Sequence, residues 1–182
     1  MGEEQIVEFM KKKETAKSTL CKKLSFDCQM PLIGLVIDRG LDASQKKMIE
    51  NFLEGVGSLD VEIVVIADTD LDSFSFPYVH HIPYSEKNRK EAMQAIDMMV
   101  TLPFNDLEEL WLNGVVPISC KRKGVTDYDP NRETGNAFVY GEAEKSNHWK
   151  VFAGVVRALE TFKFPYDWQS IIINGLEKLQ RS

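Results

Sequence analysis

The segment PLIGLVID, from Pro31 to Asp38, is the stretch on which the fold of this chain depends. Its residues are almost all apolar, some of them are β-branched, and no polar residue interrupts the run before Asp38. An apolar run of this length without polar alternation is typical of a strand that is buried on both faces, as in a parallel sheet covered by helices on each side. We therefore predict a buried strand of an α/β sheet at 31–38.

Strands and helices alternate on both sides of this segment. Further strands are predicted at 61–67, 78–82, 96–102, 115–119 and 136–140, and helices at 3–24, 43–54, 85–95 and 105–113. Two closing helices are predicted from apolar stripes, one of Trp149, Phe152, Ala153, Val156 and Leu159 and the other of Trp168, Ile172, Leu176 and Leu179. This alternation predicts a doubly wound, Rossmann-like parallel sheet with right-handed crossovers. Residues 1–24 are predicted to form an N-terminal helix or linker, and residues 25–182 the domain itself.

Particular residues predict where some of these elements begin and end. Asp42 and Gln45 have the spacing of a capping box at the start of the second helix, which Gly55 and Gly57 are expected to end. Ser85 and Asn105 are predicted to cap the next two helices. Pro77 and Pro83 bracket the strand 78–82, which is therefore expected at an edge of the sheet.

The composition of the 182 residues excludes several classes of protein. Hydrophobic residues make up 43% and charged residues 27%, which is ordinary for a soluble globular domain, and no apolar run is long enough to cross a bilayer. The N-terminus is acidic where a signal peptide would be basic, so we expect a cytoplasmic protein. The net charge of −6 argues against a nucleic-acid partner.

Lysines and cysteines allow two further expectations. The lysines of the first helix are interpreted as a solvated face: Lys11, Lys12, Lys13, Lys17, Lys22 and Lys23. The three cysteines, Cys21, Cys28 and Cys120, have no metal-ligand spacing and are expected to be reduced and buried. His80 and His81 are neighbours that point to opposite faces of a strand, so neither a metal site nor another cofactor is predicted.

Candidate binding residues follow the predicted strand ends, where ligands of doubly wound sheets bind. Arg39, Phe104 and 120–124 come directly after three of the strands. Arg39 and Lys46 flank the start of a helix, where two cations and free N–H groups favour a phosphate, although the spacing alone favours ordinary surface charges. No glycine-rich dinucleotide loop and no Walker loop is present.

Two further segments each allow two interpretations, a ligand-binding one and a structural one. Tyr84 precedes the capped helix 85–95, so its ring either lies against a nucleotide base or is a partly buried aromatic of that helix. Lys121, Lys123 and Gly124 belong to the basic turn Lys121-Arg122-Lys123-Gly124, which either holds a phosphate or is a solvated surface turn. No serine or cysteine stands in a motif with a histidine, so the sequence does not support a hydrolase.

Several segments, in this order, resemble the C-terminal half of bacterial glycogen synthases and plant starch synthases, which are GT-B glycosyltransferases. They are KKKETAKSTLCKKLSF, PLIGLVI, VEIVVIAD, PYSEKNRKEAMQAIDMMV, GVVPISCKRKGVTD, GNAFVY and YDWQSIIINGLEK. The resemblance implies a donor half that binds ADP-glucose or UDP-glucose, with an arginine and a lysine after the first strand (Arg39, Lys46) on the diphosphate. It also implies Tyr84 against the base and the turn ending at Gly124 near the donor phosphates and sugar. An α-1,4-glucan or a separate acceptor domain is the implied partner.

The chain also departs from that family. Arg39 and Lys46 are seven residues apart where the family has five, and the turn Thr-Gly-Gly is replaced by Arg122-Lys123-Gly124. The loop that supplies the first of two glutamates is contracted to LPFNDL, so the first has no counterpart, and Glu108 or Glu109 stands near the second. The acceptor half with its catalytic residues is not matched. We therefore expect a domain that is inactive alone and binds a nucleotide sugar weakly, or else an interaction module or a half-enzyme completed in trans.

Overall fold

The computed structural model describes residues 3–37, 39–68, 75–103, 105–143 and 147–180, with only the backbone of Glu3. Asp38 and Phe104, which the sequence places at strand ends, lie outside the described residues, as does part of the predicted loop 68–77. The strands are β1 Leu32–Ile37, β2 Glu62–Ala67, β3 Val79–Pro83, β4 Met98–Val100, β5 Val116–Ser119 and β6 Phe138–Val139. The helices are α1 Glu3–Leu24, α2 Ala43–Val56, α3 Glu86–Ala95, α4 Leu107–Leu112, α5 His148–Phe162 and α6 Pro165–Gln180.

The described strands form one parallel sheet in the order β3-β2-β1-β4-β5-β6. This order confirms the predicted doubly wound, Rossmann-like plan and places β3 at an edge. The strands predicted at 96–102, 115–119 and 136–140 are shorter than expected, a difference confined to their ends. In the described ranges, no helix combines the length and the apolar character that crossing a bilayer requires.

Strand β1 is buried along its whole length between two hydrophobic layers. Ile33, Leu35 and Ile37 point into the layer formed with α2, α5 and α6, whereas Leu32 and Val36 point into the layer formed with α1, α3 and α4. Successive side chains of a strand alternate between its faces, so an unbroken apolar run covers both layers at once. The prediction for this segment is confirmed.

The caps of two helices differ in how well the sequence predicted them. Asp42 and Gln45 form the predicted capping box of α2, which continues through Gly55 and ends at Gly57. Helix α4 is capped by Asp106, so the prediction of Asn105 as its cap is wrong. The Asn105 side chain is buried instead, where it accepts a hydrogen bond from the Leu102 N–H at 2.6 Å and donates one to a carbonyl of β1.

Helix α5 buries a different face from the one predicted. Val151, Val155 and Ala158 are its buried apolar side chains, while Trp149 is 68% exposed. A Cβ on Gly154 would lie 3.0 Å from Ile118 of β5, so the helix passes very close to the sheet there. Small and β-branched side chains satisfy that short separation, whereas Trp149 of the predicted stripe is mostly exposed to solvent.

The first helix is joined to the sheet by two of its lysines, so the prediction that these two belong to a solvated face is wrong. The Lys13 ammonium is buried and donates to the carbonyl oxygens of Ile96 at 2.6 Å and Asn113 at 3.0 Å. The Lys17 ammonium lies 2.6 Å from the Asp97 carboxylate. Burial lowers the pKa of Lys13 to about 8. The other four lysines of the cluster are exposed, as predicted.

Candidate functional site

The candidate site is the side of the sheet at which the carboxyl ends of the parallel strands lie, which we call the candidate edge. Because all five strand pairs are parallel, the loops after β1, β3, β4 and β5 open at this one edge. The chain order reverses between β1 and β4, and doubly wound sheets bind their ligands in the crevice at such a reversal. The predicted site residues that follow β1, β3 and β5 are therefore at the same edge.

Arg39 and Lys46 lie after β1, on either side of the start of α2, and both are exposed. The Asp42 carboxylate accepts the backbone N–H of Gln45 at 2.8 Å in the same turn. A helix N-terminus attracts anions through its free N–H groups, and here a carboxylate of the chain already uses one of them. The positive charge at this turn therefore comes from the two side chains more than from the helix end.

Tyr84 lies directly after β3, where its N–H donates to the Ala67 carbonyl at 2.9 Å. Its ring is half-buried against the layer formed with α1, α3 and α4, and its hydroxyl is 3.4 Å from the Glu86 carboxylate. Ser85 caps α3 as predicted, by accepting the Asn88 N–H. The arrangement is a capped helix with a partly buried aromatic.

The basic turn after β5 borders a surface cleft of about 530 Å³, which also contacts α4 and the end of α6. Lys123 and Gly124 line the cleft, whereas the exposed Lys121 ammonium is 3.1 Å from the Glu142 carboxylate. Gly124 has a φ of +87°, in the left-handed region that favours glycine. Of the three residues predicted in this turn, the structure brings Lys123 and Gly124 together on the cleft.

Arg122 belongs to the same predicted basic turn, although the sequence did not single it out as a binding residue. One nitrogen of its guanidinium group donates to the carbonyls of Pro103 at 2.9 Å and Asn105 at 3.0 Å, in the loop after β4. Burial lowers the pKa of Arg122 below its ordinary value. In the sequence, Arg122 is one of three consecutive basic residues. Its hydrogen bonds could not be predicted because both carbonyls belong to a loop about twenty residues earlier.

The two glutamates of α4, Glu108 and Glu109, differ in burial and in partners. Glu108 is exposed and lines the cleft, whereas Glu109 is half-buried and pairs with Arg89 of α3. Burial raises the pKa of Glu109 above its ordinary value, although the Arg89 guanidinium acts in the opposite direction. Among the described residues, no group of three His, Cys, Asp or Glu side chains is placed to hold a metal ion.

No family model and no curated protein sequence matches this chain. Solved structures do match it, with low sequence identity. The catalytic domain of starch synthase IV from Arabidopsis thaliana, bound to ADP and acarbose, matches with a TM-score of 0.71 and 18% identity, over 90% of this chain and 38% of that one. HepE from Anabaena, in complex with UDP-glucose, matches with a TM-score of 0.65 and 14% identity, over 92% of this chain and 48% of that one.

A third match is to a separate C-terminal domain. It is that of the group 1 family glycosyl transferase LpcC from Francisella tularensis, with a TM-score of 0.64 and 13% identity, over 93% of this chain and 92% of that one. The chain thus spans less than half of the first two structures and nearly all of the third. Identities this low establish the fold alone. This chain has the fold of the C-terminal domain of GT-B glycosyltransferases.

Proposed function

We propose that this chain is a nucleotide-sugar-binding domain of a cytoplasmic glucosyltransferase of the glycogen or starch synthase kind, with ADP-glucose or UDP-glucose as its ligand. The observation that carries the proposal is the position of the basic and aromatic residues at one edge of the sheet. Arg39 and Lys46 follow β1, Tyr84 follows β3, and Lys123 with Gly124 follows β5. Two proteins of the same fold are described with ADP or UDP-glucose bound, which supports this choice of ligand.

The domain alone is proposed to be inactive. Glycosyl transfer needs a closed cleft that excludes water and stabilises the charge on the leaving diphosphate. The loop between β4 and α4 is short, and the one half-buried glutamate near it, Glu109, is paired with Arg89. A single domain supplies only one wall of such a cleft, so we expect this domain by itself to bind in the millimolar range and not to transfer.

Isothermal titration calorimetry with ADP, UDP, ADP-glucose and UDP-glucose tests this proposal. We expect Tyr84→Ala to weaken binding of the preferred ligand by about 1–3 kcal/mol, because stacking of a base on an aromatic ring contributes that amount. Tyr166→Ala is the matched control, since Tyr166 is 87% exposed and lies on α6. Equal binding by wild type and Tyr84→Ala, or no heat with any of the four ligands at millimolar concentration, would contradict the proposal.

A second candidate function is completion of an enzyme in trans by a separate acceptor domain. It is favoured by an exposed aromatic group at the start of α5, where Trp149 is 68% exposed and lies 5.1 Å from His148 and 6.3 Å from Phe152, measured between ring centroids. Exposed apolar side chains that adjoin one another mark interaction sites more often than isolated ones do. Glucosyl transfer that occurs only when the two chains are mixed would support it, and Trp149→Ser should then reduce that activity.

A further inference from the structure

Two hydrogen-bond donors of the Arg122 side chain are buried without an acceptor. Of the buried side-chain nitrogen and oxygen atoms in the described ranges, three have no hydrogen-bond partner, and two of them are Nε and Nη2 of Arg122. The third is Nε of Arg89, whose charge is compensated by Glu109. Arg122 donates only to two carbonyl oxygens, and no described carboxylate forms an ion pair with it. A buried donor without an acceptor is costly, and a guanidinium group cannot escape the cost by losing its proton.

The position of Arg122 connects this problem to the crevice of the sheet. Its side chain crosses from the turn after β5 to the loop after β4, where it reaches Pro103 and Asn105. The Asn105 amide in turn donates to the Val36 carbonyl of β1 at 3.3 Å. The guanidinium group is therefore held beside the point between β1 and β4 at which doubly wound sheets bind their ligands.

The other candidate cations are less suited to hold an anion firmly. The Lys121 ammonium already has Glu142 as a partner, and Lys46 is exposed in the first turns of α2, whose cap is the Asp42 carboxylate. Arg122 presents two buried donors from one planar group, an arrangement that matches two oxygens of a phosphate better than a lysine can. Arg122, Lys123 and Gly124 line the adjacent cleft of about 530 Å³, which has room for a phosphate group. A phosphate in the cleft reaches Nε and Nη2 when the atoms that cover these two donors move aside.

We propose that Arg122 is the main anchor for the diphosphate of the ligand, through bidentate hydrogen bonds from Nε and Nη2. This inference rests on the proposed function and extends it to the one residue of the basic turn that the sequence did not single out. The positive charge of Arg122 stays in place between Pro103 and Asn105, so the donors are oriented before the anion arrives. Arg39 and Lys46 then add charge at the edge but contribute less to affinity.

The experiment measures binding of inorganic pyrophosphate, ADP-glucose and UDP-glucose to the whole chain by calorimetry at constant ionic strength. We expect Arg122→Gln to weaken binding of pyrophosphate and of the preferred nucleotide sugar by at least about 30-fold, since losing a buried charged donor usually has an effect of this size. Arg122→Lys keeps the charge without the planar group and should lose an intermediate amount. Arg132→Gln, which changes an arginine that is exposed on another turn, should bind like wild type.

The stability of Arg122→Gln separates anchoring from a merely structural role. Its melting temperature should change by less than about 4 °C, because the variant loses two hydrogen bonds but also removes a buried cation without an acid partner. A large fall in melting temperature with unchanged affinity in the folded fraction would overturn the inference, and so would equal affinity of wild type and Arg122→Gln. In both cases the proposed function would stand if the wild type binds a nucleotide sugar.

The two ligand types distinguish the remaining outcomes. Binding of pyrophosphate that depends on Arg122, with no binding of either nucleotide sugar, would keep the anion anchor and overturn the proposed function. No binding of pyrophosphate or of a nucleotide sugar at millimolar concentration would overturn both.

Discussion

Asp97→Ala is expected to destabilise the folded chain by about 3–5 kcal/mol, because it removes the acid that a group of buried polar atoms shares. The Asp97 carboxylate accepts from the Lys17 ammonium at 2.6 Å and from the Leu32 N–H at 2.9 Å, and its side chain is 10% exposed. Without it, the ammonium group of Lys17 and the first N–H of β1 are buried without this acceptor. Equilibrium unfolding in urea at neutral pH measures the loss.

Two further variants show where that loss comes from. Asp97→Asn keeps an oxygen for the Leu32 N–H but lacks the charge, so it should lose less stability than Asp97→Ala does. Glu160→Ala removes a carboxylate whose partner, Lys163, is on the surface, and it should change stability by no more than about 1 kcal/mol. If Asp97→Ala were as mild as Glu160→Ala, the ion pair would be hydrated, and α1 would be held to the sheet by its apolar contacts and the hydrogen bonds of Lys13.

The sequence predicted the sheet well because strand burial is a local property of the chain. The apolar run at β1 and the capping residues Asp42 and Ser85 each act on neighbours only a few positions away, and all three predictions are confirmed. The fold follows from such signals when they agree along the chain. Local signals failed for Asn105, because its side chain forms a hydrogen bond with Val36 of β1, which is far away in sequence.

The lysines of α1 show that a usable signal was present but was interpreted incorrectly. Lys13 and Lys17 recur at helical spacing with Met10 and Leu20, on the face that the helix buries. A lysine in an apolar stripe is usually solvated at its tip, and only a partner distant in sequence allows the whole group to be buried. For Lys17 that partner is Asp97, and for Lys13 it is the carbonyl oxygens of Ile96 and Asn113. The positions of these groups opposite α1 depend on the whole sheet.

The sequence predicted that the candidate residues lie at one edge of the sheet, but it could not predict which contacts they make there. Strand ends follow from the parallel topology, so Arg39, Tyr84 and Gly124 could be placed at one edge before the structure was known. Which cations have acid partners could not be predicted. Lys121 has Glu142 and Arg122 has none among the described residues, although the two are adjacent in sequence.

The pKa of Lys13 predicts an unusual dependence of stability on pH. Burial lowers this pKa to about 8, whereas a lysine in the unfolded chain has a pKa of about 10.4. Between these two values the unfolded state binds more protons than the folded state, so the contribution of Lys13 to the free energy of unfolding rises with pH. From about pH 7.5 to about pH 9.5 this contribution should grow by roughly 2 kcal/mol, and it is lost again as the pH falls through 8.

Other groups titrate in the same range and act in the opposite direction. Burial raises the pKa of Tyr128, Tyr140 and Cys21, so their ionisation in the unfolded state favours unfolding as the pH rises. The measurement is therefore the difference in unfolding free energy between wild type and Lys13→Met at each pH, since this difference isolates Lys13. It should change by roughly 2 kcal/mol across the range, in favour of wild type at the higher pH.

Lys12→Met is the control for this pH series, because Lys12 is the preceding residue on α1 and its side chain is 74% exposed. Its unfolding free energy should follow that of wild type at every pH. If Lys13→Met also followed wild type, the Lys13 ammonium would be hydrated in the folded chain. Its hydrogen bonds to Ile96 and Asn113 would then be too weak to fix α1 against the sheet, and Lys17 with Asp97 would be left as the main polar connection between them.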